Sequence, residues 1–217
     1  MKLFLASSGL DYIREFVKKD PSEMNMLFVP TAGNLDDDVW WIDKDRDVLS
    51  KIGFIITELD IVQASKETMQ AELFKTDIVY IAGGNTFYLL HQMRVTGFDV
   101  MLESFVSGGG LYVGASAGAL IVGPDIGLID LLDEPEKVPE LQSTKGFGWV
   151  DVVPIPHCNM VERTAIIEQI KERNNDTLKI VTLTDDEGLI VENGTWQVVD
   201  SPRSEREREW FTQAGVE

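Results

Sequence analysis

The chain has 217 residues, 44% apolar and 26% charged, which excludes a disordered or fibrous protein. A chain of this length buries roughly 70% of the surface its unfolded form exposes, so one domain spanning 1–217 with a true core is expected. Nineteen basic against thirty-seven acidic residues give a net charge of −18, which excludes a nucleic-acid partner held by a general basic field. A single cysteine excludes an internal disulfide framework and a cysteine-based zinc site.

The opening MKLFLASSG holds only a four-residue apolar run. That is too short for the core of a secretory signal, and a first strand is expected instead. No stretch approaches the ~20 apolar residues that span a bilayer, so a cytoplasmic protein with no membrane partner is expected. Apolar runs follow at Leu3–Ala6, Met26–Pro30, Phe54–Leu59, Ile78–Ile81, Leu111–Gly114 and Ile180–Leu183. They are continuous rather than alternating, as in strands buried on both faces. Helical spacing fills the segments between them, as with Phe87, Leu90 and Met93. The pattern predicts an α/β fold with a mostly parallel sheet and helices on both faces.

Asn34 and Asp36–Asp38 read as a helix start rather than a cation site, because three consecutive acids point in different directions. Residues 125–148 lack periodicity and read as one long loop, of the kind that is functional or mobile. Near the end, Gly188–Val191 and Thr195–Val199 flank Asn193-Gly194, the signature of a hairpin. The charge run Ser204–Trp210 reads as a solvated terminal helix.

The sharpest chemical signal is Gly114-Ala115-Ser116-Ala117-Gly118. It fits G-x-S-x-G, follows the apolar run ending at Val113 and precedes a plausible helix, the context of a nucleophile elbow. A serine nucleophile needs a base. Of the two histidines, His91 sits inside a helical stretch, whereas His157 follows Val152–Pro156 at a strand end. Strand carboxyl ends gather functional residues in parallel-sheet proteins, which favours His157. Candidate acids abound: Asp185, Asp186 and Glu187 at a strand end, and Asp125, Asp130 and Asp133 between serine and histidine. Spacing does not choose among them. Gly83-Gly84-Asn85-Thr86 is a second strand–turn–helix junction whose amides suit an oxyanion. It is not a phosphate loop of either common type.

Ala82–Phe87, Gly114–Ala119 and Pro156-His157, in this order and spacing, resemble the peptidase E family of serine peptidases, which includes aspartyl dipeptidases and cyanophycinases. That resemblance implies a three-layer fold like that of class I glutamine amidotransferases (flavodoxin-like), with the hairpin at its C-terminal edge. It implies a Ser–His–Glu triad of Ser116, His157 and Glu187, with Gly84 and Ala117 amides as the oxyanion hole. Gly83 and Asn85 become substrate-contacting positions, and Arg163, downstream of the histidine, matches an arginine that holds an aspartyl carboxylate. Cys158 is expected to pack rather than react. Between serine and histidine the chain departs from the family's Asn-Asp-Met-Pro stretch, with Asp130–Pro135 roughly in its place. In the family the loop matching Trp40 and Trp41 borders the active-site mouth. No cofactor and no metal are implied. The expected partner is a short peptide substrate, hydrolysed by a monomer or homodimer. A non-catalytic binding protein on the same scaffold, or a hydrolase of another amide or ester, is the alternative that the sequence leaves open.

Overall fold

The computed structural model describes residues 1–174 and 176–215. Seven strands form one sheet in the order β3-β2-β4-β5-β1-β8-β9. They are β1 (Lys2–Ala6), β2 (Asn25–Val29), β3 (Ile55–Glu58), β4 (Ile78–Ile81), β5 (Leu111–Ala115), β8 (Glu187–Glu192) and β9 (Thr195–Asp200). The first five are mutually parallel, while β8 runs antiparallel to both β1 and β9. The hairpin expected at Asn193-Gly194 is therefore the antiparallel edge of a mostly parallel sheet. Both turn residues have positive φ, 53° and 78°, as the tightest hairpin turns require.

Side chains alternate across the sheet and feed two cores. Leu3, Leu5, Val29, Ile81 and Tyr112 face one, together with α3 (Lys66–Lys75), α4 (Thr86–Thr96) and α5 (Phe98–Ser107). Phe4, Ala6, Phe28, Tyr80 and Val113 face the other, with α1 (Ile13–Val17) and α2 (Trp40–Ile52). Both faces of the central strands are apolar, which is why their sequences read as continuous runs. Burial of each large side chain contributes roughly 1.5–3 kcal/mol.

Three expectations need correction. The run Ile180–Leu183 lies outside the main sheet: β7 (Lys179–Thr182) pairs with β6 (Val152–Ile155) in a separate two-stranded parallel sheet. Ile180 and Val181 are only half-buried there, so apolar continuity fixed neither full burial nor the neighbouring strand. The helix after Asn34 starts only at Trp40, whose amide is capped by Asp38 at 3.2 Å, and Asp36 is left at the mouth of a cleft. The charge run is a terminal helix, with Glu205, Arg208 and Glu209 exposed, but it is not solvated on every side. In α8 (Glu205–Ala214), Glu207 and Phe211 are buried, and the helix packs on α2. Ser204 and Glu207 cap it reciprocally: the Ser204 hydroxyl accepts from the Glu207 amide, and the Glu207 carboxylate accepts from the Ser204 amide. Its charges thus hide an inward face only two residues wide.

The long segment 125–148 is irregular, with two short 3₁₀ turns, but it is anchored. Ile126, Ile129 and Val138 are buried in the core. Asp125 bridges to Lys145, and Arg94 donates to the carbonyls of Ser143 and Lys145. No helix among the described residues is long and apolar enough to cross a membrane.

Candidate active site

The carboxyl ends of β1, β4 and β5 converge on one cleft of about 410 Å³, lined by Ser116, His157, Gly83, Gly84, Asn85 and Arg163 among others. Ser116 stands between β5 and the short α6 (Ala117–Leu120) at φ 50°, ψ −107°. A non-glycine residue in that region is strained and persists only where its surroundings fix it. The fixing contacts are visible. The Ser116 amide donates to the Ala6 carbonyl at 3.1 Å, and its carbonyl accepts from Ala119 and Leu120. A Cβ on Gly114 would stand 2.3 Å from the Gly118 carbonyl oxygen, and one on Gly118 would stand 2.4 Å from that of Ile81. Both glycines of the motif are required by close backbone approach rather than by φ.

Gly84 sits opposite, at φ 144°, with a Cβ position only 2.2 Å from the Ala32 carbonyl oxygen. Asn85 then caps α4, accepting from the Tyr88 amide at 2.8 Å. Among the described residues, neither the Gly84 amide nor the Ala117 amide donates to a protein acceptor. Two unengaged N–H groups beside one hydroxyl make a site able to take a negatively charged oxygen.

His157, also at positive φ (60°), is held by its amide donating to the Ser7 hydroxyl at 2.9 Å. Its Nε2 is 3.1 Å from Ser116 Oγ and its Nδ1 is 2.5 Å from Asp185 Oδ1. The acid facing the imidazole is therefore Asp185, and the expectation of Glu187 is corrected. Glu187 already opens β8, and its carboxylate turns back to accept from the Thr184 amide at 2.8 Å. Asp185, two residues earlier, is fixed in the loop by three contacts. Its amide donates to Asn159 Oδ1 at 2.8 Å, its carbonyl accepts from Gly9, and its Oδ2 accepts from Asn159 Nδ2 at 3.4 Å.

Burial pushes the His157 pKa below its ordinary value; the Asp185 hydrogen bond opposes this, while the charge of Arg163 adds to it. The imidazole is therefore neutral near pH 7, the form able to accept a proton. Burial acts to raise Asp185, but the hydrogen bond and charge of His157, helped by Arg203, hold it below the usual carboxylate range.

Arg163 lies in the first turn of α7 (Val161–Asn174) and lines the cleft, half-buried. Neither Glu162 nor Glu168 pairs with it, and no ion pair holds it among the described residues. Asp133, whose carboxylate accepts from the Thr86 amide at 2.8 Å, lies near enough to feel its charge. Burial raises the Asp133 pKa. Leu132, Asp133 and Glu134 of the irregular segment form one wall of the cleft. Asp125 and Asp130 are engaged elsewhere, with Lys145 and Arg173. Cys158 packs against the core, and burial pushes its thiol up. His91 lies in α4 and is not part of the cleft lining.

The same cleft contains buried groups that the sequence did not point to, alongside Trp40 and Trp41, which the family resemblance placed near its mouth. Lys44 is buried, 2.9 Å from Asp45 Oδ1 and 3.9 Å from Glu207, with its ammonium 3.2 Å from the Ser8 hydroxyl. Tyr80 donates to Asp45 Oδ2 at 2.7 Å. Trp40, Trp41 and Phe211 supply aromatic walls, with Trp40 edge-on to Phe211 at 5.1 Å and Trp41 Nε1 donating to the Gly83 carbonyl. A lysine in a mixed helix carries no sign of burial in its sequence. The signal available was the i, i+3/i+4 spacing of Trp41, Lys44, Asp45 and Val48 on one face of α2. Among the described residues no group of three His, Cys, Asp or Glu is placed to hold a metal ion.

A strained serine at a strand–helix elbow, a histidine on its hydroxyl and a carboxylate behind the ring define a serine hydrolase site on an α/β sheet. The family model for peptidase family S51 matches residues 4–199, and the chain belongs to that family of serine peptidases. The chain is 32% identical to an uncharacterised peptidase of Listeria innocua over 87% of its own length and 91% of the relative's. Over 46% of its length it is 34% identical to peptidase E of Salmonella arizonae, covering 42% of that protein. A crystal structure of a candidate peptidase E from Listeria monocytogenes EGD-e superposes with a TM-score of 0.86 at 28% identity, covering 92% of this chain and 98% of that one. The protein is thus a peptidase with the peptidase E fold.

Proposed function

We propose that the protein hydrolyses short peptides through an acyl-enzyme, with Ser116 as nucleophile, His157 as base and Asp185 as the orienting acid. The observation that carries this reading is the unbroken chain Ser116 Oγ–His157 Nε2 (3.1 Å), His157 Nδ1–Asp185 Oδ1 (2.5 Å). Ser116 Oγ adds to the scissile carbonyl carbon while its proton passes to His157 Nε2. The carbonyl π pair moves onto oxygen, and the oxyanion is held by the Gly84 and Ala117 amides. Loss of one such donor typically costs about 3–4 kcal/mol of barrier. The C–N bond then breaks as His157 gives its proton to the leaving amine. Water, deprotonated by the same nitrogen, adds to the ester carbonyl and releases the acid and Ser116. Asp185 keeps Nδ1 protonated throughout and stabilises the imidazolium.

The preferred substrate is a peptide with N-terminal aspartate. Arg163 lines the cleft and is held by no carboxylate ion pair among the described residues, so its planar guanidinium is available to a substrate carboxylate. Asp133 and Asp36 on the adjoining wall, with Glu134 beside them paired to Lys137, supply carboxylate oxygens suited to a free α-ammonium group. Gly83 and Asn85 border the same space. The test is release of p-nitroaniline from α-aspartyl-p-nitroanilide. Wild type should turn over, Ser116→Ala should not, and Arg163→Ala should raise KM for the aspartyl substrate selectively. Equal turnover of an alanyl analogue by wild type would reject the aspartate preference while leaving the serine chemistry intact.

A further inference from the structure

We infer that Arg203, in the C-terminal segment beyond the family-matched residues, is a positioning residue for the carboxylate behind the histidine. The family match ends at residue 199, yet the chain continues past it into the back of the active site. Arg203 Nη1 lies 3.8 Å from Asp185 Oδ2, the oxygen not used by His157. The same side chain grips the next residue: the Arg203 amide donates to Asp186 Oδ1 at 2.7 Å, and Nε donates to the same oxygen at 3.1 Å. The Arg203 side chain is nearly buried, 10% exposed, against an Asp185 side chain that is 4% exposed. At such burial, a charge at this distance is weakly screened. One arginine therefore fixes two consecutive acids of the β7–β8 loop.

The segment that carries Arg203 is itself anchored to the β1 end of the site. The Ser201 amide donates to the Asp186 carbonyl and its hydroxyl donates to the Gly9 carbonyl, both at 2.8 Å. The Glu207 carboxylate accepts from the Leu10 amide at 3.2 Å. The guanidinium also lies over the Phe211 ring, 4.8 Å from its centroid, and Phe211 lines the cleft. The histidine and its acid are faced by Arg163 from α7, Lys44 from α2, Asp133 from the long segment, and Asp186 and Arg203 from behind. Arg203 is the cation of this set directed at the distal Asp185 oxygen. Its charge favours the ionised carboxylate, and its fork holds the loop so that Oδ1 stays on His157 Nδ1.

This rests on the proposed triad, and the experiment separates the two. Arg203→Met and the milder Arg203→Gln remove the charge while keeping a side chain over Phe211, and whichever folds is read; Arg203→Lys restores charge. Two quantities are measured on the full chain: the far-downfield proton resonance of His157 Nδ1–H, and kcat and KM on α-aspartyl-p-nitroanilide. The neutral variants should weaken or shift the resonance upfield and lower kcat about tenfold with KM within about twofold, the scale of losing an outer-shell partner. Arg203→Lys should recover most of both. An unchanged resonance and kcat in a folded neutral variant, or a lysine variant no better than the neutral ones, would overturn the assignment. A resonance that moves as described in a protein that hydrolyses no peptide would uphold the positioning role and reject the peptidase substrate.

Discussion

The two halves of the active site are built by different means. The Ser116 half is made of backbone. Its glycines are required by carbonyl oxygens 2.2–2.4 Å from where a Cβ would stand, and its strain is held by backbone hydrogen bonds to β1 and from α6. The His157–Asp185 half is made of side chains from four separated stretches: Ser7, His157–Asn159, Asp185 and Arg203. Backbone construction leaves a contiguous sequence motif. Side-chain construction leaves only isolated residues whose meeting depends on loop geometry. The difference shows that a strand–helix elbow can be read from spacing, whereas the carboxylate on the histidine ring must be read from contacts.

The sharpest way to break this comparison is at its centre. Ser116→Ala should lower kcat/KM by roughly 10⁴-fold or more with thermal stability unchanged. Next, Asp185→Asn and Glu187→Gln discriminate the two acids. Asp185→Asn should lower kcat by roughly 10³–10⁴-fold, because the histidine loses its tautomer-fixing partner. Glu187→Gln should leave kcat within about threefold and cost about 1 kcal/mol of stability, through its bond to the Thr184 amide. Steady-state kinetics with matched denaturant melts reads both. Gly84→Ala tests the backbone half. Its Cβ meets the Ala32 carbonyl at φ 144°, so a loss of about 2–4 kcal/mol in unfolding free energy should accompany loss of activity.

The smallest effect is on pH. His157 must be neutral to accept the serine proton, and burial lowers its pKa. Activity should therefore be full above the depressed value and fall as pH drops through it, with the acid limb of kcat/KM below about 6.5. Arg163→Ala removes a positive charge that helps depress it, so the limb should move to higher pH. A limb that stays put would remove Arg163 from the histidine's surroundings.

Much of this was legible in the chain. The central strands announced themselves as continuous apolar runs because both sheet faces are covered, and Asn193-Gly194 marked the hairpin. Ser116, His157 and the Gly83-Gly84-Asn85 junction lie on one cleft, as their strand-end positions predicted. Asp185 and Glu187 stood side by side as candidates. The family resemblance pointed to Glu187, whereas the carboxylate on His157 Nδ1 is that of Asp185; a two-residue offset in a loop leaves no periodic trace. Ile180–Leu183 carried the apolar signature of a central strand, but partner choice is set by tertiary packing. Lys44, Glu207 and Arg203 stayed hidden because long charged side chains are ordinarily solvated, and only for Lys44 does helical spacing with Trp41 and Val48 hint otherwise.

The most direct test of the central claim is covalent labelling with a fluorophosphonate, located by peptide mass spectrometry in wild type, His157→Ala and Asp185→Asn. One adduct is expected, on Ser116, formed rapidly in wild type and slowed by orders of magnitude in both variants. An intact wild-type protein that takes no label on Ser116, or labels equally well without His157, would contradict it.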